Sequence, residues 1–104
     1  MVADFPGVMG VKRRPAVVIS SDLYHSTRPD LIIALITSQT AAAIRPTDHR
    51  LADWSAAGLR LPSAFRAFLA TIPASDATGP IGRLSDSDWS AVRARLKDAI
   101  VALD

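Results

Sequence analysis

Lys12-Arg13-Arg14-Pro15-Ala16-Val17-Val18-Ile19-Ser20 sets three cations against a short apolar run, with a proline at the junction. Residues 16–19 are small or β-branched and are bounded by polar residues, the pattern of a strand covered on both faces. Pro15 has a fixed φ and no N–H, so it suits the first position of a strand and not its middle. Arg14 is thereby held at a rigid strand mouth. The design recurs downstream, where Leu31-Ile32-Ile33-Ala34-Leu35 runs into Ile36-Thr37-Ser38-Gln39 and puts hydroxyls at the strand's exit.

Working outward, residues 2–5 predict a stub of strand stopped by Pro6-Gly7, and residues 8–14 a loop containing Gly10. Strands over 16–20 and 31–38 are joined by a polar loop that holds Tyr24, His25 and Arg28-Pro29-Asp30. A third extended segment is expected over 43–50, with Pro46 at an edge or bulge. Residues 53–58 read as a tight polar connection in which Gly58 can take positive φ. Residues 63–72 read as the last long strand and 73–80 as a solvent loop. The chain ends in a helix: Ser85 is placed to cap it, and Asp88 three residues on completes a capping-box pattern. Trp89, Val92, Leu96, Ala99, Ile100 and Leu103 recur at helical spacing, while Arg93, Arg95, Lys97 and Asp98 fall on other faces. Short strands followed by one helix predict a mainly β chain, a small SH3-like β-barrel with a C-terminal α-helix and a short first strand.

A length of 104 residues is that of one domain, taken as 1–104, with 49% apolar and 21% charged residues as in globular chains. Without cysteine there are no disulfides or thiolate metal sites. Residues 1–5 carry an acid and no apolar stretch of signal-peptide type, and the longest apolar run, 31–36, is too short to span a bilayer. A cytoplasmic protein without membrane contact is expected. The formal charge is only +2, so any affinity for a polyanion must come from where the cations sit. They cluster at Lys12, Arg13 and Arg14 and again at Arg45, Arg50, Arg60 and Arg66, whereas Asp86, Asp88, Asp98 and Asp104 gather near the last helix. A basic face opposite a helical one is implied.

No His, Asp and Glu stand at metal-ligand spacing, and no Gly-rich loop leads from a strand into a helix. The pattern argues against metal catalysis and against a nucleotide-triphosphate enzyme, and no cofactor is expected. His25, in the polar loop, and His49, beside Asp48, read as surface histidines. Tyr24, Trp54 and Phe65 are candidates for stacking on bases, although two Trp, one Tyr and three Phe scarcely fill a core.

The stretches KRRPAVVIS and ALITSQ closely resemble the MazF/PemK family of toxin–antitoxin endoribonucleases. Asp53-Trp54, Ala57-Gly58-Leu59, Pro62-Ser63, Arg66 and Thr71-Ile72 are similar to the middle of its PemK-like branch, and Ile81-Gly82-Arg83-Leu84-Ser85 to its C-terminal part. The similarity runs in order along nearly the whole chain. It implies an SH3-like barrel and the toxin of a type II toxin–antitoxin system. Such a toxin cleaves single-stranded RNA sequence-selectively and without a metal, works as a homodimer, and is held inactive by a cognate antitoxin. In that chemistry the 2′-OH attacks the neighbouring phosphorus, giving a cyclic phosphate and a 5′-OH. The protein must accept a proton, stabilise phosphate charge and protonate the leaving oxygen.

The family's catalytic arginine directly precedes the proline, which assigns that role to Arg14, whose fork suits two phosphate oxygens. The hydroxyl of the ITS segment falls on Thr37, with orientation of the 2′-OH or phosphate as its role. Ser38 is a further RNA-contacting candidate, although neighbours on a strand face opposite sides, so at most one of the pair is expected to point into the site. Arg66 matches an arginine after the Pro-Ser pair that makes a second phosphate contact. Lys12 and Arg13 are either backbone-phosphate contacts or a solvated turn. Two features depart from the pattern. Ala67 and Phe68 stand where some relatives carry an acid for proton transfer, and the first strand lacks the usual opening Gly-Asp pair, which would expose its neighbour's edge. Both fit a second reading, a catalytically silent barrel that binds nucleic acid or its antitoxin in regulation.

Overall fold

The β-branched runs do pair with one another. In a computed structural model that describes residues 1–5, 14–42, 45–100 and 102, β1 (Val2–Phe5) lies antiparallel to β2 (Arg14–Val18), with Val2 opposite Val17. β2 lies antiparallel to β3 (Asp30–Thr37), with Ala16 opposite Leu35. β3 pairs along its length with β5 (Ala64–Pro73), across a bulge between Ala34 and Ile36. A two-residue strand β4 (His49–Arg50) adds to β5 at one edge, and β6 (Thr78–Gly82) adds to β1 at the other. The order β4-β5-β3-β2-β1-β6 forms one antiparallel sheet curled into a half-barrel. β1 is short, as expected, yet all four of its residues pair with β2 while β6 covers its far side. The edge that a short first strand was expected to expose is therefore occupied.

Alternation along the strands sorts the side chains into two clusters. Val2, Val17, Ala34, Ile36 and Phe65 share one face, where Leu51 and Val92 complete the main core. Val92 belongs to α2 (Asp86–Ile100), whose Trp89 and Leu96 also pack there. Ala3, Ala16, Val18 and Ile33 form a second cluster of opposite parity, flanked by Leu31, Ala70 and Ile72. The helical stripe contacts the core only as far as Leu96: Ala99 and Ile100 are exposed, and Leu103 lies outside the described residues.

Three expectations need correction. The polar loop before β3 contains a helix, α1 (Asp22–Thr27). Ser21 is its N-cap, with Oγ accepting the Tyr24 N–H at 3.2 Å, and Asp22 sits in the positive first turn. Of the strand expected over 43–50, residues 43 and 44 lie outside the described residues, residues 45–47 turn, and β4 is the strand among the rest. The Asp48 N–H donates to the Arg45 carbonyl at 2.9 Å, and its carboxylate accepts the Arg45 N–H at 3.3 Å. The expected solvent loop over 73–80 holds a 3₁₀ turn, Ala74–Asp76, and then β6. Gly79 and Pro80 are poor strand formers, but the free edge of β1 supplies hydrogen bonds that local propensity does not foresee. The loop expected over 8–14, with Gly10, Lys12 and Arg13, lies outside the described residues except for Arg14. Among the described residues, no helix is long and apolar enough to cross a membrane.

Candidate active site

Arg14 is the first residue of β2 and Thr37 the last of β3. Extending the register that sets Ala16 opposite Leu35 brings them level with each other. On the other side, Phe5 stands opposite Arg14 and Asp4 opposite Pro15. These strand ends floor a cleft of about 610 Å³, bordered by Asp4, Arg14, Thr37 and Ser38 and closed by the loop carrying Gly58, Arg60, Leu61 and Ser63. Both Thr37 and Ser38 border it, contrary to the expectation that one of them would face away. Strand alternation binds them only within a strand, and β3 ends at Thr37.

The Thr37 side chain is buried, and its Oγ1 accepts the Gln39 N–H at 3.1 Å. With that lone pair engaged by the turn, the hydroxyl still has a proton to donate. Arg14 is exposed, as is Arg60 across the opening. Ion pairs among the described residues are Arg28–Asp30 and His49–Asp88, so neither cleft arginine is neutralised by one of these. The described residues that border the cleft thus include two arginines, the hydroxyl residues Thr37, Ser38 and Ser63, and Asp4. Such a set suits a phosphate ester with a proton to be moved beside it. No group of three His, Asp or Glu among the described residues lies close enough to hold a metal ion.

The wall that carries Arg60 is fixed at several points. The Leu59 N–H donates to the Trp54 carbonyl and the Gly58 N–H to the Ser55 carbonyl, while Leu59 and Trp54 pack on the core. Gly58 has φ of 90°, and a Cβ there would lie 2.5 Å from the Ile81 carbonyl oxygen. Gly82 meets the Ala57 carbonyl just as closely, so the loop rests backbone to backbone on β6. At its far end, Ser63 Oγ donates to the Leu61 carbonyl at 2.8 Å.

Asp88 anchors the same loop from outside the cleft. Ser85 Oγ accepts the Asp88 N–H at 3.2 Å, which is half of the expected capping box. The Asp88 carboxylate does not turn back to complete it. It accepts the Ala52 N–H at 2.9 Å and the Asp53 N–H at 2.8 Å, and its Oδ1 lies 2.9 Å from His49 Nε2. Burial works against the charged form, yet the Ala52 and Asp53 amides and the His49 ring outweigh it and hold the carboxyl below its usual range. His49 is thus a partner of the helix start and not a lone surface residue.

The other expected positions divide as follows. Arg66 is half-buried in the bulged part of β5 and does not border the cleft. Lys12 and Arg13 lie outside the described residues. His25 Nε2 lies 2.5 Å from Ser20 Oγ, which also accepts the Ile32 N–H, so this histidine joins α1 to the sheet. Phe65 is 0% exposed in the core, Trp54 packs against that core, and Tyr24 lies under the Arg28 guanidinium at 5.3 Å; none borders the cleft as a stacking platform. Of the cleft residues, sequence reasoning passed over Asp4 and placed Arg60 only within a cluster of cations. The hairpin register pairing Asp4 with Pro15 was the available signal for the first.

The chain matches the model of the "PemK-like, MazF-like toxin of type II toxin-antitoxin system" family over residues 1–100. Among solved structures, it resembles an endoribonuclease from a mycobacterial species in complex with its cognate antitoxin, with a TM-score of 0.82 at 13% identity. That likeness covers 99% of this chain and 94% of the other. The Mycobacterium tuberculosis toxin MazF-mt6 follows at a TM-score of 0.74 and 22% identity, over 94% and 93% of the two chains. A MazE–MazF structure from Deinococcus radiodurans gives 0.73 at 17% identity, over 98% and 92%. No curated protein sequence matches the chain. With nearly its whole length matched, the chain belongs to the PemK-like, MazF-like family of type II toxin–antitoxin toxins.

Proposed function

We propose that this toxin is an endoribonuclease acting on single-stranded RNA in the cytoplasm through the Arg14–Thr37 cleft, without a metal. The 2′-oxygen attacks the adjacent phosphorus, the bond from phosphorus to the 5′-oxygen breaks, and the leaving oxygen takes a proton from solvent, so that a cyclic phosphate and a 5′-OH result. Arg14 binds two phosphate oxygens and offsets the charge that grows on them. Thr37 donates its hydroxyl proton to the phosphate or the 2′-oxygen and so orients the attack. Asp4, the carboxylate of the same cleft, accepts the 2′-OH proton, in place of the acid missing after Arg66. Lys12, Arg13 and Ser38 contact the RNA backbone, and Arg66 provides a further phosphate contact beyond the cleft.

The observation that carries this reading is the sharing of one cleft by Arg14 and Thr37 in a chain of the toxin family. Similar folds named as endoribonucleases support it, as do relatives solved with their antitoxins. The unit is the single domain 1–104, it works as a homodimer, and a cognate antitoxin blocks the cleft.

Purified protein should cut single-stranded RNA in EDTA, and Arg14→Ala should abolish the cutting. A substrate with 2′-deoxyribose at the cut site should resist. Cleavage that survives Arg14→Ala, or that requires a divalent metal, would overturn the mechanism.

A further inference from the structure

Two arginines border the cleft, Arg14 at the strand ends and Arg60 in the loop after Gly58, and one phosphate needs only one fork. Arg14 stands level with Thr37 at the strand ends, so together they serve a single phosphate. Arg60 reaches the cleft from the opposing loop, exposed and free of the ion pairs found among the described residues. Its position is built into the fold. Gly58 at φ 90° and Gly82 against the Ala57 carbonyl seat the loop on β6, and Leu59, half-buried, packs against the core next to Arg60. Leu61 follows, 58% exposed although it borders the cleft, an apolar surface beside the cation. A formal charge of +2 gives little long-range attraction to RNA, so individual cleft cations must supply the affinity.

We infer that Arg60 binds the phosphate flanking the one that is cut, with Leu61 against the adjoining nucleotide, so that it holds the RNA across the cleft without taking part in bond breaking. The inference rests on the ribonuclease reading and separates from it experimentally.

The test compares wild type, Arg60→Ala and Arg60→Lys on two probes: a cleaved RNA oligonucleotide, and mixed-sequence 2′-O-methyl RNA, which has no free 2′-OH and reads binding alone. Arg60→Ala should weaken binding of the 2′-O-methyl probe about tenfold. It should also lower the slope of log affinity against log salt by about 0.7, the loss of one contact to a single strand. On the cleaved RNA, KM should rise while kcat stays within about twofold. Arg60→Lys should keep the salt slope and recover part of the affinity, since it retains the charge and loses the fork. Unchanged binding and slope in Arg60→Ala would show a solvated loop residue and overturn the inference. So would a fall in kcat at unchanged KM, which would move Arg60 to the reacting phosphate. If wild type cuts no RNA, the ribonuclease reading fails, while the 2′-O-methyl arm still decides whether Arg60 binds a backbone phosphate. Equal melting temperatures check that the exposed substitutions leave the fold intact.

Discussion

Asp88 Oδ1 lies 2.9 Å from His49 Nε2, and this contact joins the start of the C-terminal helix to the short edge strand β4 across 39 residues of chain. Asp88 is 1% exposed and also accepts the amides of Ala52 and Asp53, so one carboxylate fastens helix, edge strand and loop. Removing it orphans three donors at once. Asp88→Ala should therefore cost about 3–5 kcal/mol, as expected when one partner of a buried charged network is deleted. Urea unfolding of the purified variant measures this; a loss under 1 kcal/mol would mean that water replaces the carboxylate without difficulty.

The same group predicts a pH dependence. Its carboxyl is held below the usual range when folded, so its contribution is present above the unfolded aspartate pKa of about 3.9. That contribution should fade as pH falls from about 4 through the lower folded value, as the carboxylate takes up a proton and releases its donors. Unfolding midpoints from pH 7 to pH 3 should fall more steeply for wild type than for Asp88→Asn, which has no carboxylate to protonate. Parallel curves would show that other carboxylates govern acid unfolding.

Gly58→Ala should destabilise the protein by about 2–4 kcal/mol, because it combines a left-handed φ of 90° with a Cβ 2.5 Å from the Ile81 carbonyl oxygen. The loop would have to lift from β6 and take Arg60 with it. The variant should then weaken RNA binding at temperatures where it is still folded, read by anisotropy below its melting transition.

Thr37→Val keeps the shape of the side chain but leaves the Gln39 N–H without its acceptor and the cleft without a hydroxyl donor. A stability loss of about 1 kcal/mol is expected from the turn bond. Cleavage should fall by about 10²-fold, comparable to losing one donor to a developing oxyanion. Thr37→Ser should restore both. Rescue of stability without rescue of cleavage would remove Thr37 from the chemistry.

Local pattern determined the strands that build the sheet, because residues 16–19 and 31–36 are β-branched or apolar enough to be strand in any compact context. It also placed Arg14 before Pro15 and Thr37 at a strand exit, since backbone restriction at a proline and the end of an apolar run are properties of neighbours in sequence. The terminal helix and its Ser85 cap were legible for the same reason. What only the tertiary structure decided depends on partners far along the chain. β6 exists because β1 offers it an edge, despite Gly79 and Pro80. Asp88 abandons the capping box because two loop amides and the His49 ring outbid one helical N–H. Arg60 borders the cleft because two glycines let the 57–58 turn rest against the Ile81–Gly82 backbone, a close approach between residues more than 20 positions apart that no local pattern encodes.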